Sequence, residues 1–466
     1  MASEHRIERD SMGEVLVPAD AYYGASTERA RQTFQISPLR FPRRFLQALG
    51  WIKVAAARVN TRLGLLEPEL GRAIEMAARE VAEGKFDAQF VVDVFQTGSG
   101  TSTNMNANEV IATRAREFLG AERSDRQRVH PNDHVNLGQS TNDVFPTAIH
   151  VAAMDALEQE TLPALRELAA AFEAKAAEYN DVLKAGRTHL QDAVPMTLGQ
   201  ELSGYASVVR HGIVRLENCR PHLAELAIGG TAVGTGLNAP RDFARLMVTE
   251  LRALTGYLFF PAKNPFEALQ NRDAAVELSG AIRTIAVGLM KICNDLRLLA
   301  SGPRTGLAEV ELPATQPGSS IMPGKVNPVV PEAVNMVCAH LIGNDAAIAV
   351  AAMNGNLELN TMMPLIAHHL LDSLEVLARA ARVLAQRCVA GLLACVERCH
   401  FYAEHTAALA TVVAPIVGYD EAARLYRRAL EEGKSLRDIL HAEGRLTPEQ
   451  IEQLLDLTRI ARGGHD

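Results

Sequence analysis

Two adjacent serines, Ser319 and Ser320, are followed at short spacing by Lys325, Asn327 and Glu332. Two hydroxyls, an ammonium, an amide and a carboxylate so close together suit an anionic substrate. They belong to the stretch 312–331, which is hedged by prolines and glycines. Proline fixes φ and removes backbone donors, so this stretch is not the interior of a helix. Glycine permits close backbone approach. A structured loop of this length between helical patterns is usually functional.

Three other polar turns share that character. The run Phe95–Asn108 places Gly98 and Gly100 among hydroxyls and amides, ahead of a helix expected from about Asn106 to Leu119. A helix N-terminus behind such a turn favours anions. Gly138–Asp143 puts Ser140, Thr141, Asn142 and Asp143 before Pro146, a strong helix start with the proline expected in the first turn. Gly186–Asp192 contains Thr188 and His189 ahead of Pro195. Together the four turns supply many neutral donors, one lysine and one histidine. GSGTST is not a dinucleotide fingerprint, and no Gly-Lys-Ser/Thr P-loop occurs. The chemistry that fits is proton abstraction next to a carboxylate, with the resulting dianion held by fixed donors. By residue type alone, His189 is the conventional base candidate.

Helical elements must position these turns. Apolar periodicity predicts helices over 45–63, 68–84, 146–183, 197–219, 240–255, 267–300, 331–354 and 364–395. The segment 146–183 would span roughly 55 Å as one helix. Residues 1–50 read as irregular, and strand alternation is confined to short pieces. Ala346–Met353 has no polar face, so a helix there must be covered on every side. One chain's long helices can hardly surround it, which implies a multi-chain bundle. The expected fold class is all-α: an N-terminal domain over 1–140, a long central helical bundle over 141–395 and a small C-terminal domain over 396–466.

The chain's 466 residues are 48% apolar and 22% charged, in the range of ordinary soluble domains. A net charge of −8 with thinly spread Lys and Arg excludes a nucleic-acid binder. The longest fully apolar runs are far too short for a bilayer. The first ten residues lack a signal core, so the cytoplasm is the expected location. The six cysteines form no CxxC pair, as expected of reduced buried thiols. Cys395 and Cys399 have no second pair of ligands, so neither a metal nor a cofactor is expected.

Gly318-Ser-Ser-Ile-Met-Pro-Gly-Lys-Val-Asn-Pro328 resembles the signature loop of the fumarase/aspartase superfamily. Thr97–Asn106, Gln139–Asp143 and Gly186–Asp192 resemble that family's other conserved turns, and the resemblance covers nearly the whole chain from Asp20 onward. It is greatest to class II fumarate hydratases, which hydrate fumarate to L-malate reversibly in the tricarboxylic acid cycle by anti addition through a carbanion-type intermediate. Aspartate ammonia-lyases are the alternative.

The resemblance implies a homotetramer around a central helical bundle, with each site shared among three subunits and a small dicarboxylate as substrate. It implies that Ser319 is the base and that His189, backed by Glu332, handles the water. A serine needs its alkoxide stabilised to serve so, by loop amides and Lys325. Lys325 and Asn327 then form the carboxylate clamp, with Val326 between them a substrate contact. Ser99, Gly100, Thr101, Ser140, Thr141, Asn142, Thr188 and Ser320 complete the substrate contacts. His130, Pro131, Asn132 and Asp133 match a second, non-catalytic anion site. Gln127 stands where fumarases often carry a basic residue. Thr141 and Val329–Glu332 look aspartase-like, whereas Gln96–Thr101 and His130–Asp133 look fumarase-like.

Overall fold

A computed structural model describes residues 5–318 and 320–463. The fold is predominantly helical, and among the described residues the strands form only two-stranded sheets. The chain divides into two compact units. One comprises Met1–Pro163, Val214–Thr284 and His340–Ala378, the other Ala164–Ile213, Ile285–Ala339 and Arg379–Asp466.

In the first unit, the helices Arg43–Arg62 and Pro68–Ala82 pair along apolar faces, as the periodicity predicts. Phe41, Phe45 and Phe145 meet at centroid separations of 4.5, 4.9 and 5.8 Å and anchor the core beneath the polar turns. The N-terminal stretch is more regular than expected. His5–Asp10 and Gly13–Pro18 form an antiparallel hairpin, and Ala25–Thr33 is a helix. Glu109, buried on the helix Thr101–Phe118, accepts from the backbone N–H groups of Gly24, Ser26 and Thr27 at 2.9–3.1 Å and so ties that first helix down.

The expected helix over 146–183 begins earlier and is not uniform. It runs Thr141–Ala156, widens into a π turn at Leu157–Thr161 and continues as Leu162–Glu178. Pro146 lies inside this helix rather than in its first turn. The π turn ends two residues before Pro163, whose ring and missing N–H the regular i→i−4 ladder cannot accommodate. The segment 267–300 is likewise divided, into Pro265–Gln270 and Asp273–Leu299.

In the second unit, Tyr205 of the helix Leu198–Asn218 donates to Asp295 of Asp273–Leu299 at 2.9 Å, with its ring 5.8 Å from Phe172. Leu183–Thr188 and Gln191–Thr197 form an antiparallel hairpin where a polar turn was expected. The C-terminal helices enclose their own core of Leu425, Ile439, Leu440, Ile451 and Leu455. They hold the hairpin through Thr406 Oγ1 to the Ala193 carbonyl at 3.1 Å.

By length and hydropathy alone the helix Val329–Ala352 could cross a membrane. Two of its polar residues are engaged within the chain: Asp345 pairs with Arg283 at 2.8 Å, and Asn344 donates to Asp372 at 3.0 Å. Within the chain the apolar stretch Ala346–Met353 is not covered on every side: Val350 and Met353 are 54% and 76% exposed, and nearer the helix start Met336 is 69% exposed.

Candidate active site

The first unit carries two of the four polar turns and joins them. Gly100 sits at φ 84°, donates to the Thr97 carbonyl at 2.7 Å and precedes the helix Thr101–Phe118. A side chain there would lie 2.1 Å from the Phe145 ring, so the turn requires glycine on both counts. The tight turn brings Ser99 Oγ within 2.8 Å of Thr101 Oγ1. The helix starts five residues before the expected Asn106. Thr101–Asn104 are therefore its first turn: the Thr103 N–H donates to Gln96 Oε1 at 3.0 Å and the Asn104 N–H to the Gly100 carbonyl at 3.1 Å, and the positive end of the dipole favours an anion.

Ser140 caps the helix Thr141–Ala156 in a capping box. Its Oγ accepts from the Asn142 N–H at 3.2 Å, and Asp143 accepts from the Ser140 N–H at 3.0 Å. The other oxygen of Asp143 accepts from the N–H groups of Gly229 and Thr231, both at 2.9 Å, while Asn142 donates to the Ala232 carbonyl at 2.9 Å. The glycine-rich run 229–236 is thus fastened to this helix start. Burial raises Asp143 to about 6 despite these backbone bonds.

A buried polar cluster welds the two turns. Asn104 Nδ2 donates to Thr141 Oγ1 at 3.0 Å and to Asn136 Oδ1 at 3.2 Å. Asn136 Oδ1 also receives Asn108 at 3.3 Å and Lys53 Nζ at 2.9 Å. Lys53 reaches Gln139 Oε1 at 3.0 Å as well. The Lys53 side chain is sealed, and burial lowers it to about 7, opposed by the Asp143 charge. None of Lys53, Asn104, Asn108 and Asn136 was singled out from the sequence. The Asn104/Asn108 spacing of four on one helix face was the available signal. Lys53, a lone cation within Trp51–Ala57, offered another.

His130 precedes the π turn Pro131–Val135. Its Nδ1 accepts from the Asp133 N–H at 3.2 Å, and its Nε2 lies 3.1 Å from Arg126. Burial, opposed by Asp133 and reinforced by Arg126, lowers its pKa. Asn132 and Asp133 are exposed, Pro131 is buried, and Gln127 is exposed.

The second unit carries the other two turns. Thr188 pairs with Gln191, leaving His189 and Leu190 as a two-residue hairpin loop at φ 56° and 59°. Positive φ at both positions is the type I′ requirement, ordinarily met by Asn-Gly. Thr188 and His189 are exposed at the tip. Along the hairpin's first strand, Glu309 is fully buried and receives Arg187 at 2.9 Å and Lys184 at 3.3 Å. Lys184 also meets Glu201 at 2.7 Å.

The signature loop folds back on itself. The Gly318 N–H donates to the Lys325 carbonyl at 3.0 Å, and Asn327 Nδ2 donates to the Gly318 carbonyl. A side chain at Gly318 would lie 2.3 Å from the Lys325 carbonyl oxygen, so only glycine permits this closure. The two limbs, 314–318 and 324–326, border a cleft of about 380 Å3. Ser320, Lys325 and Val326 are exposed, and Asn327 is partly covered. Glu332 stands in the first turn of Val329–Ala352. Ser319 lies outside the described residues. Among the described residues, no group of three or more His, Cys, Asp or Glu side chains is arranged to hold a metal.

Comparison with known proteins agrees with this architecture. Residues 13–343 match the lyase family, and 409–462 match the fumarase C C-terminus. A class II fumarate hydratase of Mycobacterium tuberculosis is 52% identical over 466 residues, 99% of this chain and 97% of that protein. One from Halobacterium salinarum is 53% identical over 456 residues, 98% of this chain and 97% of that protein. The crystal structure of a class II fumarase from Schistosoma mansoni superimposes with a TM-score of 0.95 at 42% identity, covering 98% of this chain and 99% of that one. With two helix-capped hydroxyl turns welded in one unit and a histidine hairpin and glycine-closed loop in the other, the chain belongs to the class II fumarate hydratase family of lyases.

Proposed function

We propose that this protein is a fumarate hydratase, interconverting fumarate and L-malate. The observation that carries the assignment is end-to-end similarity at 52% identity to class II fumarate hydratases. The resemblance of the Gln96–Thr101 turn and the His130–Asp133 segment to fumarases favours water over ammonia as the leaving group.

In the malate-to-fumarate direction, Ser319 takes a proton from C3. The electron pair left behind is delocalised into the adjacent carboxylate as a dianion, held by Lys325, Val326 and Asn327. The second carboxylate is received by Ser99, Gly100 and Thr101 and by Ser140, Thr141 and Asn142, at two positive helix ends. Thr188 and Ser320 complete the substrate contacts. His189, with Glu332, passes a proton to the departing hydroxyl, which leaves as water. His130, Pro131, Asn132 and Asp133 form a separate anion-holding segment that takes no part in the chemistry.

The same reading makes the active protein a homotetramer with sites shared among three subunits, located in the cytoplasm. The exposed apolar residues Met336, Val350 and Met353 support burial against further copies of the chain. The division into an N-terminal domain over 1–140, a central bundle over 141–395 and a small domain over 396–466 belongs to this reading too. The assignment is tested by turnover of L-malate with L-aspartate as comparison. Site sharing is tested by mixing an inactive Ser319→Ala variant with an inactive Thr101→Val variant. Hybrids that regain activity support sharing, and hybrids that stay inactive contradict it.

A further inference from the structure

Within the first unit, a cavity of about 350 Å3 lies between the helix Thr141–Ala156 and the segment 222–277, apart from the turns assigned to catalysis. That volume suits a small molecule. Its most deeply buried polar group is Arg272, 3% exposed. Arg272 Nη2 donates to the Ala268 carbonyl, while its Nε has no hydrogen-bond partner. A buried donor with no acceptor is costly, and a guanidinium fork is shaped for a carboxylate. His150 lines the cavity with its Nδ1 2.8 Å from the Glu225 carbonyl. Burial and the Arg272 charge push His150 down to about 4, so it is neutral near pH 7.

The rest of the lining has the opposite sign. Glu225, Glu267, Asp273 and Glu277 all border the cavity, and all four are more exposed than Arg272. Glu225 is paired with Lys263 at 3.0 Å and Glu277 with His222 at 2.5 Å. Glu267 and Asp273 are the acids whose charges act on Arg272. A simple dianion, such as the proposed substrate, would meet four carboxylates on its way to one guanidinium. A simple cation would meet Arg272 at the bottom. A molecule with a carboxylate at one end and an ammonium at the other satisfies both.

The geometry points to a binding site for a small α-amino acid, its carboxylate on Arg272 and its ammonium between Glu267 and Asp273. This site is separate from the fumarate-hydrating turns and does not depend on the activity assigned to them.

The test uses the purified full chain with L-alanine, propionate and ethylamine as probes, each titrated calorimetrically with saturating L-malate present. L-alanine is expected to bind, with propionate and ethylamine weaker by about tenfold or more. The rim variant Glu267→Gln/Asp273→Asn is expected to weaken L-alanine about tenfold and to strengthen propionate, with malate turnover unchanged. Arg272→Gln should abolish binding of both L-alanine and propionate. Should its burial prevent folding, the rim variant decides alone. Failure of L-alanine to bind at about 50 mM, propionate binding as tightly as L-alanine, or a rim variant with unaltered L-alanine affinity would each overturn the proposal.

Discussion

Arg187 Nη1 donates to Oε2 of the fully buried Glu309 at 2.9 Å. Arg187 stands two residues before His189, and Glu309 stands just ahead of the signature loop. One buried carboxylate therefore fixes the first strand of the histidine hairpin to the root of that loop. Its backbone joins in, because the Glu309 carbonyl accepts from the Cys395 N–H at 2.9 Å. Replacing Glu309 by Ala strands Arg187 and leaves Lys184 with Glu201 alone, and should cost about 3–5 kcal/mol. A urea unfolding midpoint measures the cost. Malate turnover should fall with it, because the His189 tip loses its anchor. An unchanged midpoint would show that the carboxylate holds nothing together.

Gly100→Ala forces a Cβ against the Phe145 ring at a backbone angle that L-residues rarely adopt. The expected loss is about 2–3 kcal/mol, together with a raised KM, since the Ser99–Thr101 turn must shift. Kinetics and thermal unfolding of the same variant separate these two effects.

Lys53 gives a pH signature. Its folded pKa of about 7 lies below the ordinary 10.5, so between those values the unfolded chain binds more protons than the folded one. Stability attributable to this group therefore rises with pH across about 7 to 10.5. Lys53→Met should flatten the slope of unfolding free energy against pH in that window. Urea midpoints at three pH values between 7.5 and 9.5 check this. An identical slope in the two proteins would remove Lys53 as its source.

Much of this architecture was legible in the sequence. The long helices announced themselves by apolar periodicity, and Arg43–Arg62 and Pro68–Ala82 lie within two residues of their expected ends. The four polar turns were found because Gly, Ser, Thr and Asn interrupt those patterns. The hairpin Leu183–Thr197 was missed because its turn is His189-Leu190, and neither residue ordinarily signals positive φ. The N-terminal hairpin was missed because each strand is six residues long with weak alternation. The helix starting at Thr101 was placed late because Ser, Thr and Asn read as loop or cap residues. Here they form a helix whose inner face is polar, held by Asn136 and Lys53. That cluster needed contacts from residues far apart in sequence, which no local pattern contains.

Ser319→Ala should lower kcat by at least about a hundredfold while KM changes little, as expected of a group used in the transition state rather than in binding. Near-normal kcat in that variant would remove Ser319 as the base.

The most direct measurement follows the ultraviolet absorbance of the conjugated diacid when purified protein is given L-malate and, separately, L-aspartate. Fumarate is expected to form from malate and not from aspartate. Formation from aspartate without any from malate would contradict it and make the chain an ammonia-lyase.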